Sequence, residues 1–200
     1  MKLEDKRAET PFAARDNMLD IWTHVTELCF RGFGKKKRKM PKEPRNFSEW
    51  SEESRNKWCI RQEENVKRQE YFDNLFISRE TAVLDNLCRQ IVYNIDGANE
   101  LKPQYVFECD MQRKMQDDAI KICYNMKREL NHIIVSIPSN KNFIVKLQED
   151  IDTEIKILRG WRQSYNAIRK RAIENEINQR MNVADKIGFI FCLDKEAESQ

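Results

Sequence analysis

The sequence predicts an all-α protein: an antiparallel four-helix bundle with an extra N-terminal helix and a basic loop. Three observations carry this expectation. Apolar residues recur at spacings of three and four along three long segments. Only five Gly and five Pro punctuate 200 residues, too few for an all-β chain that turns about every ten residues. The join Pro138-Ser139-Asn140 leaves room only for an antiparallel return.

Pro11 to Arg31 reads as a first short helix, with Thr10 as cap and Pro11 in the first turn. Met18, Ile21, Trp22, Val25, Leu28 and Cys29 lie on one side of it. Ser48 to about Asn74 is helical in propensity but thin in apolar residues until Tyr71, Phe72, Leu75 and Phe76, which predicts an exposed element. Ser78 is the expected cap of a helix reaching about Asn99, striped by Leu84, Leu87, Cys88, Ile91, Ile95 and Ala98, with Pro103 just beyond its end. From about Gln104 to Ile137, Met111, Met115, Ala119, Ile122, Met126, Leu130, Ile133 and Ile137 form one continuous stripe. Leu147, Ile151, Ile155, Leu158 and Tyr165 stripe the last long helix, drawn from Asn142 to Arg171. The apolar tail Ile187 to Leu193 is expected to dock on the bundle or on a neighbouring subunit. The expected division is residues 1–47, an N-terminal helix and basic loop, and residues 48–200, the bundle and its tail.

Gly160-Trp161 stands inside the last helical pattern. Glycine costs about 1 kcal/mol against alanine there and needs a packing reason. Two explanations stay open: a close approach of another element at Gly160, or a helix that ends or bends there with Trp161 as ordinary core.

Composition excludes several classes. The content is 40% hydrophobic and 34% charged, which suits one domain. No apolar run reaches the 18 or so residues of a membrane span, and Met1 to Lys6 lacks the apolar core of a signal peptide, so a cytoplasmic protein without a membrane partner is expected. The cysteines at 29, 59, 88, 109, 123 and 192 form no Cys-x-x-Cys pair and read as reduced thiols. Glu129-Leu130-Asn131-His132 matches one Glu-x-x-His pair of a di-iron bundle, but the second pair is missing. His132 falls on the flank of its stripe, where a solvated histidine is expected. With no phosphate-cradling loop and no nucleophile arrangement, the chain reads as a non-enzyme with no catalytic residue, metal or cofactor.

Charge is distributed unevenly. Arg31, Lys35, Lys36, Lys37, Arg38, Lys39, Lys42 and Arg45 face one acid, Glu43, giving +7 in a stretch whose chain totals +3. Gly32, Gly34, Pro41 and Pro44 keep the stretch from being helical, so it reads as a mobile loop that attracts polyanions. Phe30, Phe33 and Phe47 flank it and tilt the expectation toward unpaired bases, hence RNA over duplex DNA. A second basic group, Arg159, Arg162, Arg169, Lys170 and Arg171, surrounds Trp161 and is the expected partner-binding surface.

Ile95-Asp96-Gly97-Ala98-Asn99, Gln112-Arg113 through Lys127-Arg128-Glu129-Leu130, and the closing Leu158-Arg159-Gly160-Trp161-Arg162-Gln163-Ser164 together resemble the accessory variability determinant proteins of diversity-generating retroelements. Those are similar in turn to the four-helix-bundle proteins encoded in intervening sequences of bacterial ribosomal RNA genes. The resemblance covers under half of the chain, and the Gly-Trp ending is its most specific part. It implies a homopentameric, positively charged, non-catalytic bundle that binds nucleic acid and the element's reverse transcriptase. Only Gly160, Trp161 and Arg162 carry over by position. Met40 to Phe47 loosely matches the family's Pro-Lys then Arg-Phe turn. If it is that turn, Met18 to Arg31 is the first bundle helix and Ser48 to Asn74 an insertion; if not, the first bundle helix lies within Ser48 to Phe76. Besides this reading stand a structural DNA-binding protein of a phage or mobile element and a pure protein–protein module.

Overall fold

The computed structural model describes the backbone of residues 3–137 and 141–197, and the side chains of residues 13–137 and 141–183. It is all-helical, with no strand among the described residues. Five helices follow one another: α1 Leu3–Phe30, α2 Glu52–Glu100, α3 Val106–Ser136, α4 Lys141–Ser164 and α5 Asn166–Ala197. Two short 3-10 turns, Gly32–Gly34 and Phe47–Glu49, lie between α1 and α2. The expected turn Pro138-Ser139-Asn140 and the side chains of Ile187 to Leu193 lie outside the described residues.

The helix ends differ from expectation in three places. α1 begins at Leu3, so Thr10 is not its cap. Ser78 is not a cap either, because α2 runs unbroken through it for 49 residues; no Pro or Gly interrupts that span before Gly97. The last break falls at Tyr165, whose N–H reaches only to the Arg162 carbonyl at 3.3 Å, a tightened final turn. Gly160 therefore does not end α4, and a Cβ built on it meets nothing within 4 Å outside its own helix backbone. The glycine that a neighbour does approach is Gly97, where a Cβ would collide with the end of the Met115 side chain.

Contacts gather into two compact units. The first comprises Met1–Met18, Gln90–Ile122 and Thr153–Gln200. Its interior holds Met18 of α1, Ile91 and Ile95 of α2, Ala119 of α3, and Leu158 and Trp161 of α4. Polar residues share that interior: Gln112, Gln116 and Glu154 are fully buried. The α3 stripe is thus only partly apolar here, with Met111 exposed and Gln112 inside. Gln112 Nε2 donates to the Ala98 and Leu101 carbonyls, which closes the end of α2, where carbonyls lack intrahelical donors.

The second unit comprises Leu19–Arg89 and Cys123–Asp152. Ile21, Val25 and Leu28 of α1 meet there with Leu84 and Cys88 of α2, Met126, Leu130 and Ile133 of α3, and Ile144, Leu147 and Ile151 of α4. Apart from Ile144, these are the positions that the three-and-four spacing picked out. Burying a Leu or Ile side chain contributes about 1.5–3 kcal/mol each, so this shared face holds the helices. Between Glu52 and Arg79, α2 buries only Asp73; the exposure expected of that element is observed.

Candidate nucleic-acid interface

The basic segment begins with a local strain. Gly32, Phe33 and Gly34 have φ of +54°, +55° and +65°, a left-handed run that glycine adopts freely and phenylalanine does not. Phe33 adopts it because its side chain is completely buried; the apolar gain offsets the backbone cost. The ring is a plug, and the segment that follows starts from a fixed point.

Two cations then tie the segment to α2. Arg38 donates through Nε and Nη2 to both carboxylate oxygens of Asp73, each at 2.9 Å. Lys35 Nζ donates to Asn74 Oδ1 at 3.0 Å and stands 3.7 Å from Asp73 Oδ2. The Asp73 carboxylate is only 7% exposed, and the hydrogen bonds from Arg38 hold it below the usual carboxylate range against the opposing effect of burial. A planar two-point pair of this kind fixes direction as well as distance. The loop expected to be mobile is tethered.

The tether sorts the predicted contact residues. Lys35 and Arg38 are used inside the chain, and Arg31 lies 4.0 Å from Glu27 and over the Phe143 ring at 5.8 Å. Lys36, Lys37, Lys39, Lys42 and Arg45 are exposed and make no ion pair or hydrogen bond among the described residues. Five solvated cations on an anchored loop can each meet a phosphate without first breaking a protein contact. The aromatic residues sort differently. Phe30 is 87% exposed and open to stacking, Phe33 is core, and Phe47 packs on Trp50 and Trp58 with centroids 5.6 and 5.0 Å away.

Asp73→Ala should loosen the segment, since it removes the two-point pair with Arg38 and leaves Lys35 only its bonds to Asn74 and the Glu70 carbonyl. Trypsin is expected to cut at Lys36 to Lys39 at least about tenfold faster than in the parent, the ratio for a local opening made easier by roughly 1.4 kcal/mol. An unchanged cleavage rate, followed by mass spectrometry, speaks against the tether.

The second basic group does not form one free surface. Trp161 is 1% exposed and meets Tyr165 edge-on at 6.4 Å, so its ring belongs to the core and offers no surface to a partner. Arg162 pairs with Asp117, and Arg169 pairs with Asp110 at 2.8 Å, a hydrogen bond that holds that carboxyl below the usual carboxylate range. Arg159 is exposed and makes a contact within the chain. Lys170 and Arg171 remain exposed and unpaired among the described residues; Arg171 borders a shallow cleft with Pro103, Tyr105 and Asn175.

The five described cysteines carry free thiols. Burial pushes those of Cys29, Cys88 and Cys109 up, which keeps them protonated and poorly nucleophilic. No described helix is long and apolar enough to cross a membrane. Comparison with family models, with curated proteins and with solved structures finds no match.

Proposed function

We propose that this protein is a non-enzymatic accessory scaffold that binds nucleic acid, RNA before duplex DNA, alongside a reverse transcriptase in a diversity-generating retroelement. The observation that carries the reading is the row Lys36, Lys37, Lys39, Lys42 and Arg45, exposed and unpaired on a backbone anchored by Phe33 and Asp73. Five phosphate contacts on a single strand make affinity fall by about 100-fold between 50 and 200 mM salt. The motif Leu158 to Ser164 supports the retroelement assignment through resemblance, with Trp161 as a core residue. The partner surface is Lys170 and Arg171, since Arg162 and Arg169 are engaged within the chain.

The scaffold is an antiparallel four-helix bundle of α1 to α4. Contacts within the second unit support this by pairing rising with falling residue numbers. Trp22 meets Asp85 and Cys29 meets Thr81; His24 meets Asp150 and Arg31 meets Phe143; Lys127 meets Asp152 and Asn131 meets Gln148. On this reading α1 is the first bundle helix and the exposed start of α2 is an insertion. The scaffold acts as a homo-oligomer, a pentamer by the same resemblance, and its free thiols suit the cytoplasm.

The test is Lys36→Glu with Lys37→Glu and Lys39→Glu, all exposed and clear of the Asp73 anchor. Binding of a structured RNA at 100 mM salt is expected to weaken at least about 30-fold, with a shallower salt slope, at unchanged helicity and unchanged mass by light scattering. Unaltered affinity removes the segment from the mechanism, and a preference for duplex DNA transfers it to the structural DNA-binding class.

A further inference from the structure

We propose that Glu80, Glu129 and His132 form a mononuclear site for a borderline divalent cation, with Zn2+ as its reference ion. The proposal is independent of nucleic-acid binding. Glu129 and His132 stand three residues apart on α3 and so share a face; Glu80 comes from α2. One carboxylate oxygen of each glutamate and one ring nitrogen of His132 all lie within 4.8 Å of one another. His132 Nδ1 is 3.9 Å from Glu80 Oε1 and 4.0 Å from Glu129 Oε2. Ligand atoms of a tetrahedral zinc are roughly 3.3 Å apart, given metal–ligand bonds near 2.0–2.1 Å. The contraction needed falls on Glu129 and His132, whose side chains are 37% and 49% exposed and can move.

Glu80 points independently to a ligand. Its side chain is 2% exposed, Arg79 donates twice to Oε1, and Oε2 has no hydrogen-bond partner. The oxygen 3.9 Å from His132 is Oε1, which already accepts from Arg79; a buried carboxylate oxygen left bare is costly and rare, and a cation bound through Oε2 would satisfy it. Phe76 borders the site: the His132 ring meets it edge-on at 5.2 Å, and Arg79 covers the same ring at 5.2 Å. A nitrogen with two carboxylates suits Zn2+ and its neighbours better than Mg2+, which takes oxygen ligands and keeps its waters. Three protein ligands leave the fourth position to water. With only one Glu-x-x-His pair in the chain the site holds one ion, and that ion joins α2 to α3.

Zinc chloride titrated calorimetrically into the full chain is expected to bind at one equivalent and to raise the melting temperature, with magnesium chloride producing neither effect. His132→Ala and Glu129→Gln, at exposed positions that leave the fold intact by circular dichroism, should each weaken binding by more than about 100-fold, beyond the loss of an outer-shell partner. His24→Ala, which alters the separate His24–Asp150 pair, should change nothing. Co2+ in place of Zn2+ should show visible ligand-field bands without thiolate charge transfer. The proposal is overturned by no binding to the parent, by full affinity in either variant, by equal response to Mg2+, or by a thiolate band placing the ion on cysteine. In any of these cases the trio is no more than a contact of His132 with two neighbouring carboxylates.

Discussion

Trp161→Ala should destabilise the fold by about 4 kcal/mol, as large-to-small changes of a buried tryptophan do. Trp161 is among the largest completely buried side chains, and the neighbours of a truncated indole close only part of the cavity. Set against the roughly 5–15 kcal/mol that holds a domain together, such a loss brings the protein close to unfolding. Trp161→Phe should cost much less. The indole N–H has no partner, so removing it also removes an unsatisfied buried donor, worth about 1–3 kcal/mol on its own. Guanidinium chloride unfolding of the three proteins measures both effects. If Trp161→Ala unfolds at the parental midpoint but loses binding to a partner, the residue belongs to an interface after all.

The second large effect is a dependence on pH that one carboxyl generates. Glu154 is fully buried, accepts one hydrogen bond from Asn17 Nδ2 at 2.8 Å, and leaves Oε1 without a donor. Burial pushes its pKa up from an ordinary 4.5 to about 7, and the Asn17 bond offsets this only partly. Below pH 4.5 the carboxyl is protonated in the folded and the unfolded chain, and it costs nothing. As pH rises from 4.5 to 7 the unfolded chain ionises while the folded one holds its proton, so stability falls. Above pH 7 the full cost is about 3 kcal/mol. Glu154→Gln keeps an acceptor for Asn17 and removes the charge. It should therefore match the parent near pH 4 and exceed it by about 3 kcal/mol at pH 8. Parallel stability curves for parent and variant between those limits dispose of the argument.

Much of the fold was legible because burial leaves a period in the sequence. Leu84, Cys88, Ile91 and Ile95, and Met126, Leu130, Ile133 and Ile137, are buried as their spacing requires. The same period misread the start of α3, where Gln112 and Gln116 rather than Met111 face inward. No hydropathy pattern announces a buried glutamine whose partners are the carbonyls of Ala98 and Leu101. Glycine was legible as a flag but not as a location: the close contact belongs to Gly97, beside Met115, and not to Gly160.

The candidate interface divides in the same way. Sequence alone determined that Arg31 to Arg45 is non-helical and strongly basic, because Gly, Pro and lysine act through local backbone and charge effects that need no neighbours. It also determined the helical class and most of the core faces, the start of α3 excepted, because a period of 3.6 residues commits one side of a helix to burial. Only the tertiary structure decided which cations remain for a partner. Asp73 takes Lys35 and Arg38, Asp117 takes Arg162 and Asp110 takes Arg169. An ion pair depends on two side chains meeting within a few ångströms across residues far apart in the chain, and nothing local encodes that meeting. The same holds for Glu80 beside His132: the histidine's place on its helix was readable, and the buried carboxylate facing it was not.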